Sequence, residues 1–305
     1  MKQTLTNIAS KPYRRFVSGI ERTVASAVRA ELARESEERS RVEISEIEAP
    51  SPVQSDVQGL DPVDVNREIT AVWEQHDDEA YRQDQSHWRG VGRWDADQWS
   101  KIGDETWRRI GDAYRSAGRT FPTDPPPVAL EWGPGGGSNL FRLASHCKTV
   151  YGVDISQKNL DETARVLEEK SGTSFVPITL SDEPATIAGE VAEPIDLFFS
   201  TQVFQHFPSK EYGVAVLTTM RSLMSQDGVG YVQIRFDNGN PTYAPKTLDE
   251  YRQKHITATS YELSEFWSAL ISAGFEPIKI ANINVKSNFA GFYFKCGRAP
   301  SQQAT

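Results

Sequence analysis

The chain has 305 residues, 38% of them hydrophobic and 25% charged, which suits one sizeable domain with a real core plus additions. A net charge of -9 and a pI of about 5.2 weigh against a phosphate-backbone binder, so nucleic acid is not expected as a partner. Two cysteines, Cys147 and Cys296, are too few for a disulfide framework or a zinc cluster and fit a reducing cytoplasm; no apolar run reaches the ~20 residues that span a bilayer, and Lys2 is not followed by the apolar stretch of a signal peptide.

Residues 1–46 read as one amphipathic helix, because Tyr13, Phe16, Val17, Ile20, Val24, Val28 and Leu32 recur at spacings of three and four. Two uses stay open. The helix packs on a partner or on a second copy of the chain as a homodimer, or its Arg and Lys residues hold it on a membrane surface with Phe16 and Ile20 inserted. Residues 47–66, with Pro50, Pro52 and Pro62, read as a linker. Residues 67–124 hold five of the seven tryptophans and read as two or three helices, with a Gly-containing turn near His87–Trp94. They form either a small core of their own or a cap over a cleft. From Pro125 the pattern alternates strand and helix: strands over 128–131, 149–153, 175–178, 195–199 and 230–236, with helices near 139–145, 157–170 and 210–224. A helix over 260–273, closed by Gly274, precedes two strands over 277–283 and 289–296, close enough in sequence to pair as a hairpin. The expected fold is α/β: a doubly wound, mainly parallel seven-stranded sheet over 125–298 with a C-terminal antiparallel hairpin, a helical N-terminal cap and extension, and a disordered tail over 299–305.

The first strand runs into Glu131-Trp132-Gly133-Pro134-Gly135-Gly136-Gly137-Ser138. Glycines between a parallel strand and a helix let backbone approach a ligand closely. A dinucleotide fingerprint would put its third glycine at Ser138, so this is a different loop. The second strand ends in Asp154, nineteen residues after Gly135, where a carboxylate can accept hydrogen bonds from ribose hydroxyls.

An acid, three alternate glycines and a second acid at the next strand end resemble the class I S-adenosylmethionine-dependent methyltransferases. The resemblance covers about residues 126–298, hairpin included, and implies that cofactor. It implies that Glu131, Gly133, Gly135 and Gly137 surround the methionine end, that Asp154 holds the ribose with Ile155 on the adenine, and that Ser181 and Asp182 lie near the adenine amine. Ser200, Thr201 and Gln202 would border the sulfonium.

His206 is the candidate base, either taking a proton from the acceptor or only packing against the next helix. Arg235, Asp237 and Asn238, followed by Tyr243, Tyr251 and His255, are expected at strand ends that line a cleft. His87, Trp88, Arg89 and Arg93 are expected to face the cofactor or substrate, with Arg89 a donor to an anion; the alternative is that the tryptophans are core and the arginines solvated. His76, Asp77, Asp78, His206, Asp237 and His255 are the plausible metal ligands but show no close-spaced ligand motif, so no metal site is assigned. The expected activity is O-methylation of a sugar, glycan or other small polar metabolite in the cytoplasm. Two readings stand beside it: a membrane-associated enzyme for a lipid or lipid-linked glycan, and a non-catalytic protein that binds the cofactor.

Overall fold

The computed structural model describes residues 62–75, 78–170, 174–181, 183–239, 242, 247–254 and 257–297. The expected helix over 1–46, the linker up to residue 61 and the tail lie outside these residues. Three helices come first: α1 (Pro62–Gln75), α2 (Glu79–Gln85) and α3 (Ala96–Ser116). Helix α1 starts at Pro62, inside the stretch read as linker; proline fits a first helical turn because its missing N–H has no partner there anyway. Asp78 and Asp95 cap α2 and α3, each accepting a backbone N–H three residues on.

The remaining elements are β1 (Val128–Trp132), α4 (Ser138–Leu143), β2 (Thr149–Asp154), α5 (Gln157–Leu167), β3 (Ser174–Thr179), β4 (Ile195–Ser200), α6 (Lys210–Leu223), β5 (Met224–Arg235), α7 (Leu248–Lys254), α8 (Leu263–Ser272), β6 (Phe275–Asn284) and β7 (Phe289–Cys296). One seven-stranded sheet has the order β3-β2-β1-β4-β5-β7-β6. The strands β3 to β5 are parallel neighbours, and β7 runs antiparallel to both β5 and β6. This is the expected doubly wound sheet with its terminal hairpin. Inner strands β1 and β2 are buried along their whole length, as parallel strands covered on both faces must be. Pro177 and Pro277 sit on β3 and β6, the two edges, where a missing N–H costs no ladder bond.

Alternation along β1 divides the core. Val128, Leu130 and Trp132 pack into a layer with α6 and α8, while Ala129 packs into a second layer with α3 and α4. Helix α3 contributes Ile110, Ala113 and Tyr114 to that second layer. The tryptophan-rich segment is therefore two things. Helix α3 covers a face of the sheet, and only α1, α2 and the turn after α2 lie toward the strand ends. Helix α8 begins at Leu263 rather than 260, because Glu262 and Glu265 close a reciprocal capping box there and Tyr261 is held in a bridge to Phe236. Gly274 closes it with φ +89°, as expected. No helix among the described residues is long and apolar enough to cross a membrane.

Candidate functional site

The C-terminal ends of β1, β2, β4 and β5 open into a cavity of about 420 Å3, roofed by α1 and by the turn after α2. Of the expected site residues, Gly133, Gly135, Asp154, Ile155, Thr201, Gln202, His206 and Arg235 line it.

The glycine-rich loop is shaped as much by protein as by any ligand. Gly135 has φ +54°, and a Cβ there would stand 2.7 Å from the Ser86 carbonyl oxygen. Gly136, whose φ any residue could adopt, is pressed harder: a Cβ would meet the His87 carbonyl oxygen at 2.3 Å and Trp88 Cα at 2.8 Å. Gly136 N–H donates to Ser86 O at 2.7 Å. The turn after α2 thus lies directly on the loop. Gly137 faces away from the cavity and lets α5 approach, its absent Cβ 3.0 Å from Thr163.

Asp154 ends β2 and is nine-tenths buried. Its carboxylate accepts from Ser156 N at 2.9 Å and Gly135 N at 3.3 Å. Burial raises its pKa to about 6, against the pull of those two N–H groups. Glu131 does not reach the cavity, contrary to the implied role. It is fully buried behind Asn139, whose Nδ2 donates to Glu131 Oε1 at 2.6 Å and to Thr201 Oγ1 at 3.0 Å. Its Oε2 is buried with no hydrogen-bond partner, and burial pushes its pKa up to about 8. Asn139 lines the cavity in its place. The sequence did hold a signal for it: a buried strand-end acid needs a donor, and Asn139 opens the helix directly after the loop.

The adenine-end assignments fare differently. Ile155 lines the cavity, Ser181 is exposed and off it while Leu180 lines it, and Asp182 lies outside the described residues. In the roof, His87 and Arg93 line the cavity, but Arg89 and Trp88 do not. Arg89 is paired with Glu169 just past α5 and lies over the Trp99 ring, 5.0 Å from its centroid. A carboxylate and an aromatic face nearer than the cavity satisfy the guanidinium first. Trp88 Nε1 donates to Asn159 Oδ1 at 3.0 Å, beside buried Arg82, whose Nη1 donates to the same oxygen at 3.2 Å. Burial holds the His87 pKa down to about 4, so this ring is a neutral wall against Trp94.

His206 also lines the cavity. Its Nδ1 is 3.0 Å from Tyr251 Oη, which also accepts from Trp73 Nε1 at 3.0 Å; its Nε2 is 3.3 Å from Gln205 Nε2. The backbone beneath is fixed by the insertion, since Ala258 N and Thr259 N both donate to Gln205 O. Arg235 is buried, 4.5 Å above the Phe289 ring, and donates to Ser287 O. Asp237 and Asn238 are exposed and do not line the cavity; Asp237 accepts Gly239 N in a turn of its own, which satisfies it locally. Tyr243, His255, His76 and Asp77 lie outside the described residues. Asp78 only caps α2. Among the described residues no cluster of three His, Cys, Asp or Glu could hold a metal.

Residues 130–229 match a family model described as a methyltransferase domain. An uncharacterized methyltransferase of Geobacillus sp. (strain WCH70) is 26% identical over 133 residues, which are 44% of this chain and 59% of that relative, so the match spans under two thirds of it. The magnesium protoporphyrin IX methyltransferase of Synechocystis PCC 6803, with bound SAH, superposes with TM-score 0.51 at 18% identity, over 75% of this chain and 100% of that one. A S-adenosylmethionine-dependent methyltransferase of Clostridium acetobutylicum ATCC 824 gives TM-score 0.50 at 11% identity, over 63% and 92%. At such identities the two structures speak for the fold, and the family match speaks for the domain. Residues 130–229 thus match a methyltransferase domain, on a fold shared with these solved methyltransferases.

Proposed function

We propose that the protein transfers a methyl group from S-adenosylmethionine to a hydroxyl of a sugar, glycan or other small polar metabolite. One observation carries this reading: a single cavity is lined by Asp154 and the glycine loop and also by His206. The residues fit the cofactor. Asp154 is a buried acceptor at a strand end, suited to ribose hydroxyls, and backbone N–H groups of the loop border it. Asn139, held by Glu131 and donating to Thr201, would border the methionine end with Thr201. Ile155 and Leu180 supply an apolar wall for the base.

When bound, the cofactor supplies an electrophilic methyl on a sulfonium. The chain's own residues supply alignment and proton removal. In this reading His206 would take the hydroxyl proton as the methyl passes from sulfur to the acceptor oxygen. Trp73, Phe289 and Phe207 give flat faces for the acceptor, and Arg235, Arg93 and Tyr212 give polar contacts. This mixture suits a polar ring better than an extended apolar chain.

The test has two arms. Calorimetry with S-adenosylhomocysteine measures binding, and incubation with methyl-labelled cofactor and a host extract looks for a labelled small molecule. Binding with a labelled polar product is the expected result. Label in lipid would move the acceptor class, binding without any product would leave a cofactor-binding protein, and no binding would sink the reading.

A further inference from the structure

We propose that Tyr251 is a positioning residue that holds His206 in the Nδ1–H tautomer, so that Nε2 is the nitrogen that receives the acceptor's proton. This rests on the reading of His206 as the base.

The argument begins at a carbonyl. Gln202 O can only accept, and the Gln205 amide atom 2.8 Å from it must donate; that atom is the NH2 group and not the oxygen. The same NH2 lies 3.3 Å from His206 Nε2, which therefore accepts. A neutral imidazole with an accepting Nε2 carries its proton on Nδ1. That N–H meets Tyr251 Oη at 3.0 Å. Trp73 Nε1, a donor only, meets the same oxygen at 3.0 Å, so Oη accepts on that side as well. The phenol stays neutral, since burial raises its pKa. At 3.3 Å the Gln205 contact is the weakest of the set, so a hydroxyl donating to Nε2 replaces it at small cost.

The parts come from three places. His206 follows β4, Trp73 lies on α1 in the roof, and Tyr251 lies on α7 in the insertion after β5. Ile69, Val72, Trp73, Tyr251 and Ala258 pack together as one small apolar cluster, which fixes Oη in place. The ring of His206 stands edge-on to Trp73 at 5.1 Å, so its rotation is also confined.

Imidazole nitrogen resonances of the full chain, uniformly labelled with nitrogen-15, report the tautomer directly. Spectra are taken without cofactor, at a pH where the imidazoles are neutral. The chain has five histidines, and His206→Gln identifies the signals of residue 206. In the wild type the protonated nitrogen is Nδ1. In Tyr251→Phe, which keeps the ring, the ratio of tautomers moves about fivefold toward Nε2–H, the factor one ordinary hydrogen bond supplies. If that variant does not fold, the wild type gives the second measurement: the ring N–H proton of His206 should show a through-space contact to the Tyr251 ring protons, and an N–H proton without that contact overturns the proposal. A wild type protonated on Nε2 overturns the proposal outright, and so does an unchanged ratio in a folded Tyr251→Phe. Neither result touches cofactor binding by calorimetry, and failure of binding leaves these spectra as they are, so the two readings fail separately.

Discussion

Two parts of the cavity lining are built by different rules. The part around Asp154 is made from 25 or so consecutive residues: a strand, a glycine loop, a helix start and the next strand end, with Gly135 N–H donating to Asp154. The part around His206 is made from side chains that α1, the turn after β4, the end of β5 and the insertion bring from far apart in sequence. The first is cheap to specify locally and is shared by proteins of many activities. The second depends on long-range packing and is where this chain can differ from its relatives.

Breaking the first part should give the largest effect. Asp154→Ala is expected to weaken S-adenosylhomocysteine binding by about 2–3 kcal/mol, the worth of charge-assisted contacts from a carboxylate. Its unfolding free energy should change little, because the burial penalty that raises the Asp154 pKa to about 6 offsets its two backbone hydrogen bonds. Calorimetry beside thermal unfolding checks both, and unchanged affinity removes Asp154 from the site.

Behind the same part, Glu131 tests whether the support for Asn139 is ionised. Its folded pKa of about 8 lies above the ordinary 4.5, so the folded protein holds a proton that the unfolded chain has lost across that window. Its contribution to stability is therefore full below about 4.5 and is lost as pH rises through about 8. Glu131→Gln keeps the shape without the titration. It should lack that loss and exceed the wild type by roughly 1–2 kcal/mol above the window, in cofactor-free protein. Parallel stability–pH curves for the two proteins would place Glu131 in water-like surroundings instead.

The smallest effect belongs to Arg89. Its partner Glu169 is half-exposed and the pair lies off the cavity, so Arg89→Ala should cost under about 1 kcal/mol of stability and change cofactor affinity less than about twofold. A tenfold loss of affinity would show that this guanidinium leaves Glu169 for the ligand and that the roof joins the first part.

Sequence reading tracked this division. The strands, the hairpin and Asp154 follow from period, glycine spacing and a strand-end acid, all local quantities. Glu131 was found but given the wrong neighbour, because a strand alternates its side chains and the acid points into the core behind Asn139 rather than into the cavity. Arg89 was assigned by composition, and its partner Glu169 stands eighty residues away, beyond any spacing rule. Tyr251 was named only as one polar residue of the insertion. Nothing in the sequence marks that its hydroxyl meets a histidine forty-five residues earlier and a tryptophan on α1. For helix α3 the sequence leaves core and cap open, because its tryptophans adjoin the others; Ile110, Ala113 and Tyr114, at spacings of three and one, face the sheet.

Gly136 carries a last consequence, for how this chain can vary. Its backbone needs no glycine; the His87 carbonyl 2.3 Å from the position of a Cβ does. A descendant that lost the proposed activity but kept its roof would still be bound to glycine at 136, while one that shed the roof could accept alanine there and keep the loop. Retention of glycine at this position across descendants would record the history of the turn after α2 rather than that of the cofactor.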